Sequence, residues 1–163
     1  MFDIFKKKEE ILVRSDKDIV APVSGKMMPA SQLSDQMFRE EMMGQTIGIL
    51  PSDGTICSPI NGTLEMMYPT GHAFAVRRSD NEGILVHIGV DTVNLKGQGF
   101  KVLKKQGASV NAGEPIVLAD LNIIKKAGLD TTVMLVITEP TTEGKKENFD
   151  SIDIVEKNQI INH

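Results

Sequence analysis

The stretch Gly83-Ile-Leu-Val-His-Ile-Gly-Val-Asp91 decides the fold that this chain is expected to adopt. Side chains of a β-strand point alternately to the two faces of a sheet. One face of a strand here would be wholly apolar and suited to a core: Ile84, Val86, Ile88 and Val90. The other face would carry Leu85, His87, Gly89 and Asp91. The pattern therefore predicts a buried strand that presents His87 on the side away from the core.

Short apolar stretches of the same kind recur along the chain, separated by glycine, proline, asparagine and serine. We expect strands at Asp18–Val23, Thr46–Leu50, Gly54–Cys57, Gly62–Met67, His72–Arg77, Gly83–Val90, Pro115–Ala119 and Thr132–Ile137. Many short strands with turn signals between them indicate an all-β sandwich or barrel. The polar segment after Glu139 ends in Ile152–Val155 and Ile160–Ile161, where we expect one last edge strand.

Two helical patches interrupt the strand pattern. Gln36–Met43 is long enough for one or two turns. Ala119–Ala127 has Lys125 and Lys126 in its last turn before Gly128, as a short capped helix does. No linker rich in proline, glycine or serine divides the chain. We therefore expect one all-β domain over residues 16–163, with one or two short helices, after a flexible tail of residues 1–15.

Composition excludes several classes of protein. A net charge of −4 and 4% aromatic residues do not suit a nucleic-acid binder, which needs a basic face and stacking platforms. Cys57 is the only cysteine, so no intrachain disulfide can form, and a reducing, cytoplasmic setting fits. We read Cys57 as a buried apolar residue. No apolar run approaches the roughly 20 residues of a membrane helix.

The first residues combine an apolar cluster with positive charge. Phe2, Ile4 and Phe5 stand beside Lys6, Lys7 and Lys8. Such a segment is either a frayed terminus or an amphipathic turn that contacts an anionic membrane surface through residues 1–12.

Two of the three histidines, His72 and His87, lie close together in the sequence at predicted strands, and the third is the C-terminal residue. Gly89 leaves space beside His87, and Asp91 can orient its ring or balance its charge. Thr70 can hydrogen-bond a nitrogen of His72 and so select its tautomer. Paired imidazoles on neighbouring strands can converge on one small charged group.

Two chemistries suit such a pair. In one, an imidazole nitrogen attacks a phosphoryl group while the second histidine donates a hydrogen bond to its oxygens. In the other, both histidines hold a zinc ion with a carboxylate and a water, as in a zinc-dependent peptidase. Asp91, four residues after His87, is the one carboxylate at ligand spacing, and no further histidine stands near either ring, so the phosphoryl alternative is favoured.

Several segments resemble one family from about Asp18 to Pro140. They are Ile19-Val-Ala-Pro-Val-Ser-Gly25, Cys57-Ser-Pro-Ile-Asn-Gly-Thr63, Thr70-Gly-His-Ala-Phe74, Leu85-Val-His-Ile-Gly-Val-Asp-Thr-Val93, Leu95-Lys-Gly-Gln-Gly-Phe100 and Gly107 through Glu114. The chain is similar to the glucose-type enzyme IIA of the bacterial phosphoenolpyruvate-dependent sugar phosphotransferase system. That resemblance implies an antiparallel β-sandwich or distorted barrel.

The resemblance also implies roles for the site residues. His87 would carry the phosphoryl group on Nε2, with Nδ1 held by the Gly89 carbonyl, and His72, oriented by Thr70, would stabilise that group. Asp91 would lie at the rim. The phosphoryl group would come from the histidine-containing phosphocarrier protein and pass to a cysteine of a sugar-specific IIB domain, with no metal or other cofactor. Regulatory targets such as sugar transporters are known for some members.

An apolar rim for docking partners would correspond to Met37, Phe38, Met43, Leu85 and Val93. Methionine suits such a rim because its flexible thioether adapts to differently shaped partners. We read the neighbouring Met42 as a core residue. Asn94 and Gln98 stand where related proteins often carry acids, so this rim is expected to be less negative. A docking module with vestigial histidines is the third alternative.

Overall fold

The computed structural model describes residues 12–163, and this part of the chain consists mainly of antiparallel β-sheet. Its strands are β1 (Gly25–Pro29), β2 (Gln45–Pro51), β3 (Thr55–Cys57), β4 (Gly62–Met67), β5 (Ala73–Arg77), β6 (Gly83–Ile88), β7 (Phe100–Val102), β8 (Ser109–Val110), β9 (Pro115–Ala119), β10 (Val133–Glu139) and β11 (Ile154–Val155). The α-helices are α1 (Gln36–Arg39) and α2 (Leu121–Lys126), and short 3-10 turns cover Ala30–Gln32 and Thr92–Leu95. None of the helices described is long and apolar enough to cross a membrane.

The described strands form two sheets. The larger has eight strands in the order β11-β1-β2-β10-β6-β5-β4-β8, and the smaller has three in the order β3-β9-β7. The main core contains side chains from both, such as Val86 and Leu135 of the larger sheet and Ile116 and Val117 of the smaller. Sheets that share a core in this way make a sandwich. The predicted antiparallel β-sandwich is confirmed, and the described strands do not close into a barrel.

Strand β6 follows the predicted alternation up to Ile88. Ile84, Val86 and Ile88 are fully buried in the main core, whereas Leu85 and His87 are half-buried on the opposite face. Val90 departs from the pattern, because the strand ends at Ile88 and Gly89 takes a left-handed conformation (φ +77°). The turn redirects the chain, so Val90 packs on the face of Leu85 and not in the main core.

A second, smaller apolar cluster covers this opposite face of the large sheet. Its buried members are Ala30, Leu33, Phe38, Met134 and Val136. The residues facing Met134 and Val136 across the β10–β6 pairing are His87 and Leu85. Helix α1 therefore lies over the outer face of the sheet, beside the histidine that the sequence pattern had placed there.

The first predicted strand, Asp18–Val23, is wrong. Val20 makes only an isolated bridge with Ile160, and its amide donates to the Pro59 carbonyl. Pro22 has no amide hydrogen, so it cannot continue a ladder. Ile19, Val20, Ala21 and Val23 are nevertheless fully buried, so the segment crosses the core as an irregular chain.

The sequence pattern missed three strands, β1, β7 and β8. The sequence of β1, Gly25-Lys-Met-Met-Pro29, lacks β-branched residues and does not alternate, so nothing in it marks a strand. Strands β7 and β8 contain three and two residues, too few for a period of two to be visible. These segments become strands only because a neighbouring strand supplies the hydrogen bonds.

Both predicted helical patches contain a helix, and each begins at an aspartate. The Asp35 carboxylate accepts from the amides of Met37 and Phe38, and that of Asp120 accepts from the amides of Asn122 and Ile123. Such N-caps satisfy backbone donors that the first helical turn leaves unpaired. Both helices are shorter than the patches that predicted them.

Both ends of the described chain pack on the sandwich. The predicted last edge strand is present as β11, which pairs with Lys26 and Gly25 of β1. Arg14, within the predicted tail, donates to the Asn158 carbonyl at 2.7 Å. Residues 1–11, which hold most of that tail and its apolar cluster, lie outside the described residues.

Replacing Ile84 by alanine should lower the free energy of unfolding by about 3 kcal/mol, because it opens a cavity in a fully buried position. Ile154→Ala is the matched control, since Ile154 is 63% exposed at the sheet edge and should lose less than about 0.5 kcal/mol. Urea unfolding followed by circular dichroism measures both. Equal losses would contradict the assignment of Ile84 to the core.

Candidate active site

The two histidines are brought together by the pairing of β5 with β6. His72 immediately precedes β5, and Ala73 faces His87 across the two strands. The Ile88 amide donates to the His72 carbonyl at 2.7 Å and so continues the ladder to the site. The ring centroids lie 5.1 Å apart and the ring planes cross at 80°. Both rings can therefore reach one small group placed between them.

The rings line a depression of about 240 Å³ between α1 and the ends of β5 and β6. Its wall combines apolar side chains with two carboxylates, and its residues are Asp35, Met37, Phe38, Met43, Tyr68, His72, Leu85, His87, Val90, Asp91 and Val93. All five predicted docking residues are among them. Thr70 and Gly89 lie behind the wall, where each contacts one imidazole.

The tautomer of His87 follows from its partner. Nδ1 lies 2.8 Å from the Gly89 carbonyl oxygen, and a carbonyl can only accept. Nδ1 therefore carries the hydrogen of the neutral ring, which leaves the lone pair on Nε2. The Phe38 ring packs against the same imidazole at a centroid distance of 5.1 Å and limits its rotation.

Only glycine fits position 89. A Cβ there would lie 2.5 Å from Thr92 Cγ2 and 2.9 Å from the Asp130 carbonyl oxygen, both too close. The left-handed turn is held by the Gly89 amide, which donates to the Thr132 carbonyl at 2.9 Å. This tight turn aims the Gly89 carbonyl back at His87.

His72 is more buried than His87, with an exposed fraction of 5%. Its Nδ1 lies 2.5 Å from Thr70 Oγ1, and the Tyr68 ring packs edge-on at 5.2 Å. A hydroxyl can either donate or accept, so this contact orients the ring and is compatible with either tautomer. With Thr70 donating, the hydrogen of His72 is on Nε2.

Both imidazoles are held neutral near pH 7. Burial lowers the pKa of His72 to about 4, and the nearby charge of His87 adds to the effect. Burial also lowers the pKa of His87, against the opposing influence of the Gly89 carbonyl and of the Asp35 and Asp91 carboxylates. A neutral His87 with a free Nε2 lone pair is a nucleophile.

Comparison with known proteins identifies the family. The model of the family described as phosphoenolpyruvate-dependent sugar phosphotransferase system, EIIA 1, matches residues 17–142. The chain belongs to this family. It is a phosphotransferase component that relays a phosphoryl group on histidine between the histidine-containing phosphocarrier protein and a IIB domain.

Individual relatives agree with this assignment. The PTS system glucose-specific EIIA component of Oceanobacillus iheyensis is 31% identical over 161 residues, which cover 97% of this chain and 98% of that protein. The PTS system glucoside-specific EIICBA component of Staphylococcus carnosus is 36% identical over 129 residues, 79% of this chain but only 19% of that longer protein. The solved glucose permease IIA from Mycoplasma capricolum is 30% identical, with a TM-score of 0.81 over 89% of this chain and 93% of that chain.

The zinc-peptidase alternative is not supported. Across residues 12–163 no three histidine, cysteine, aspartate or glutamate side chains are grouped so that they could hold a metal ion. The family match and the ligand geometry thus favour the same alternative.

The five predicted docking residues differ in exposure. Met37 and Val93 are 42% and 50% exposed, Met43 and Leu85 are half-buried, and Phe38 is only 3% exposed. Phe38 therefore forms the floor beneath His87. The interpretation of Met42 as core is wrong, because the helix ends at Arg39 and Met42 is 68% exposed on the following turn.

Sequence reasoning missed Asp35 and Tyr68. Asp35 directly precedes the helical patch, so the general preference for aspartate at a helix N-cap would have marked its position. That signal says nothing of its closeness to His87, which arises because α1 packs over β6. Tyr68 carries no comparable signal before Pro69.

We expect a proton-detected NMR titration to find both site imidazoles neutral at pH 7 and His72 titrating near pH 4. In His87→Gln the pKa of His72 should rise but stay below 6.5, because burial is the larger cause of its shift. Full recovery to 6.5 would show that the charge of His87, and not burial, governs His72.

Proposed function

We propose that His87 Nε2 is the atom that carries the phosphoryl group. The supporting observation is the hydrogen bond from Nδ1 to the Gly89 carbonyl, which leaves the Nε2 lone pair available. In the first transfer, Nε2 forms a bond to phosphorus as the phosphorus–nitrogen bond to the carrier's histidine breaks. In the second, the thiolate of the IIB cysteine forms a phosphorus–sulfur bond as the bond to Nε2 breaks, and Nε2 recovers its lone pair.

We further propose that His72 stabilises the transferred group. With Thr70 Oγ1 donating to Nδ1, the hydrogen on Nε2 of His72 is free to bind a phosphoryl oxygen. A negatively charged group beside His72 also favours protonation of the ring, which opposes the lowering of its pKa by burial. Phosphoryl transfer depends mainly on positioning and charge stabilisation of this kind.

The rim around the depression is proposed as the docking surface for both partners. Met37 and Val93 present exposed apolar area, and Met43 and Leu85 continue it towards the histidines. Asp91 lies at this rim as an exposed residue in a left-handed conformation. An apolar rim that excludes water strengthens the hydrogen bonds inside it when a partner docks.

Several wider assignments follow from the family and the sequence. We propose a single enzyme IIA domain over residues 16–163 in the cytoplasm, with residues 1–15 as a tail that contacts the membrane surface through residues 1–12. Regulatory targets such as sugar transporters are proposed as further partners, and nucleic acid is not. Cys57 is fully buried, which suits a core residue and not a phosphoryl acceptor.

Incubation with phosphoenolpyruvate and the general phosphotransfer proteins should place an acid-labile phosphoryl group on His87, mapped by mass spectrometry under alkaline conditions. His87→Ala should abolish the label, because Nε2 of His72 carries a hydrogen when Thr70 donates to its Nδ1 and then has no lone pair to offer. Loss of the label in Cys57→Ala with retention in His87→Ala would reassign the acceptor.

His72→Gln should still accept phosphate but pass it to a IIB domain at least about 100-fold more slowly, because the amide donates a hydrogen bond without the charge of an imidazole. Single-turnover transfer from the purified phosphoprotein measures this rate. A normal rate would refute the role of His72.

Gly89→Ala should reduce labelling strongly, because its Cβ would displace the carbonyl that orients His87. Gly128→Ala is the matched control, since Gly128 has the same left-handed conformation (φ +78°) and open space where a Cβ would lie. Both variants bear the backbone strain of about 1–2 kcal/mol, but only Gly89→Ala disturbs the site. Equal labelling of the two would mean that the Gly89 carbonyl does not position His87.

A further inference from the structure

Charge is distributed unevenly along this chain. Residues 96–129 contain six lysines, no arginine and two carboxylates, a net charge of +4 in a chain whose net charge is −4. The remaining residues therefore carry −8. The positive segment supplies β7, β9 and α2, so it is concentrated on the small sheet and the helix that follows it.

The outer surface of the small sheet combines this charge with exposed aliphatic side chains. Leu118 of β9 faces Lys101 of β7 across the strands, and both are exposed. Leu118 and Leu103 are 39% and 38% exposed, and Ile123 of α2 is 36% exposed. We call this surface, formed by Lys101, Leu103, Leu118, Ile123 and Lys125, the basic face.

The basic face surrounds a shallow depression distinct from the active site. It has a volume of about 740 Å³, and Lys101, Leu118, Ile123 and Lys125 all line it. Helix α2 packs against Gly99, the residue before β7, where a Cβ would lie 3.2 Å from Ile123 Cγ2. Lysines from two separate elements therefore converge on one concave patch.

The two carboxylates of the segment leave this surface with a net positive charge, although Asp120 itself also lines the depression. Asp120 is used as the N-cap of α2, and Glu114 pairs with Lys104 at 2.6 Å. Within residues 12–163, Lys101 and Lys125 have no ion-pair partner. The neighbouring Lys105 and Lys126 are likewise exposed and add to the positive charge.

We propose that the basic face binds the surface of an anionic phospholipid bilayer. Lysines near such a surface each contribute roughly a fivefold gain in partitioning, and exposed aliphatic side chains at the same surface add apolar contact. An acidic protein partner would satisfy the lysines as well, but it would not need aliphatic residues spread between them. This surface is formed by residues other than 1–12, and the proposal does not depend on which residue accepts phosphate.

Binding of the bilayer through the basic face would orient the protein relative to its phosphotransfer partners. Val102 of β7 lies next to Gly71, with 3.1 Å between its Cγ2 and the place of a Cβ at that glycine, and Gly71 adjoins His72. A protein lying on the bilayer through the basic face would be held in one orientation, with the outer face of the larger sheet and its active-site depression turned away from the small sheet. It would then meet membrane-associated partners in a restricted orientation.

The test uses the full chain and cosedimentation with vesicles of phosphatidylglycerol and phosphatidylcholine in equal parts, with pure phosphatidylcholine vesicles as reference. The protein should bind the anionic vesicles at low salt and lose binding as salt screens the charges. The double variant Lys101→Glu/Lys125→Glu should partition at least roughly 30-fold more weakly. Lys26→Glu, one substitution of the same kind at an exposed lysine of β1 in the other sheet, should bind almost as the parent does.

Circular dichroism should show that the double variant is folded, and labelling by the phosphocarrier protein in solution should be unchanged. Normal labelling with lost vesicle binding supports the proposal and leaves the assignment of His87 untouched. If the double variant bound vesicles as well as the parent protein does, the proposal would be overturned, and residues 1–12 would be indicated as the membrane contact. The proposal would also be overturned if the parent protein failed to bind anionic vesicles. Slower transfer from the double variant to a IIB domain without lipid would overturn it too, in favour of an acidic protein partner.

Discussion

The hydrogen bond between His87 Nδ1 and the Gly89 carbonyl is the constraint on which the site depends. It exists because the chain leaves β6 through a left-handed residue, so that a carbonyl two positions along points back at the ring. Only glycine can occupy that position between Thr92 and the Asp130 carbonyl. A backbone conformation thereby decides which nitrogen of the imidazole is nucleophilic, and no ionised partner is needed to do so.

Burial supplies the second requirement, a neutral ring. The apolar cluster beneath α1 removes water from one side of His87, and Phe38 packs directly on its imidazole. The fold thus uses the large sheet on both faces, with the main core on one side and a smaller apolar layer on the other. The site lies at the edge of this smaller layer, where the rings are shielded but one nitrogen of each remains within reach of a docked group.

The two sheets have different roles in the molecule. The larger sheet aligns the histidines through the β5–β6 ladder, and its outer layer gives the rim at which partners are proposed to dock. The smaller sheet completes the main core, and with helix α2 it carries three of the six lysines of residues 96–129, namely Lys101, Lys125 and Lys126. An acidic protein with a basic face of this kind has a preferred orientation near a charged surface, because opposite charges attract and the rest of the molecule is repelled.

The amino-acid sequence by itself determined the strand at 83–88, its inward face and the outward His87, because alternation with period two is a local property of the chain. It also determined the family, since the motifs around both histidines are contiguous. Tertiary structure alone decided that Val90 joins the site, that Phe38 is its floor, that Met42 is exposed and that Asp35 and Tyr68 lie beside the rings. Those outcomes depend on a left-handed turn and on how α1 packs over the sheet. Both are set by contacts between segments that are distant in the sequence, so no local pattern of residues predicts them.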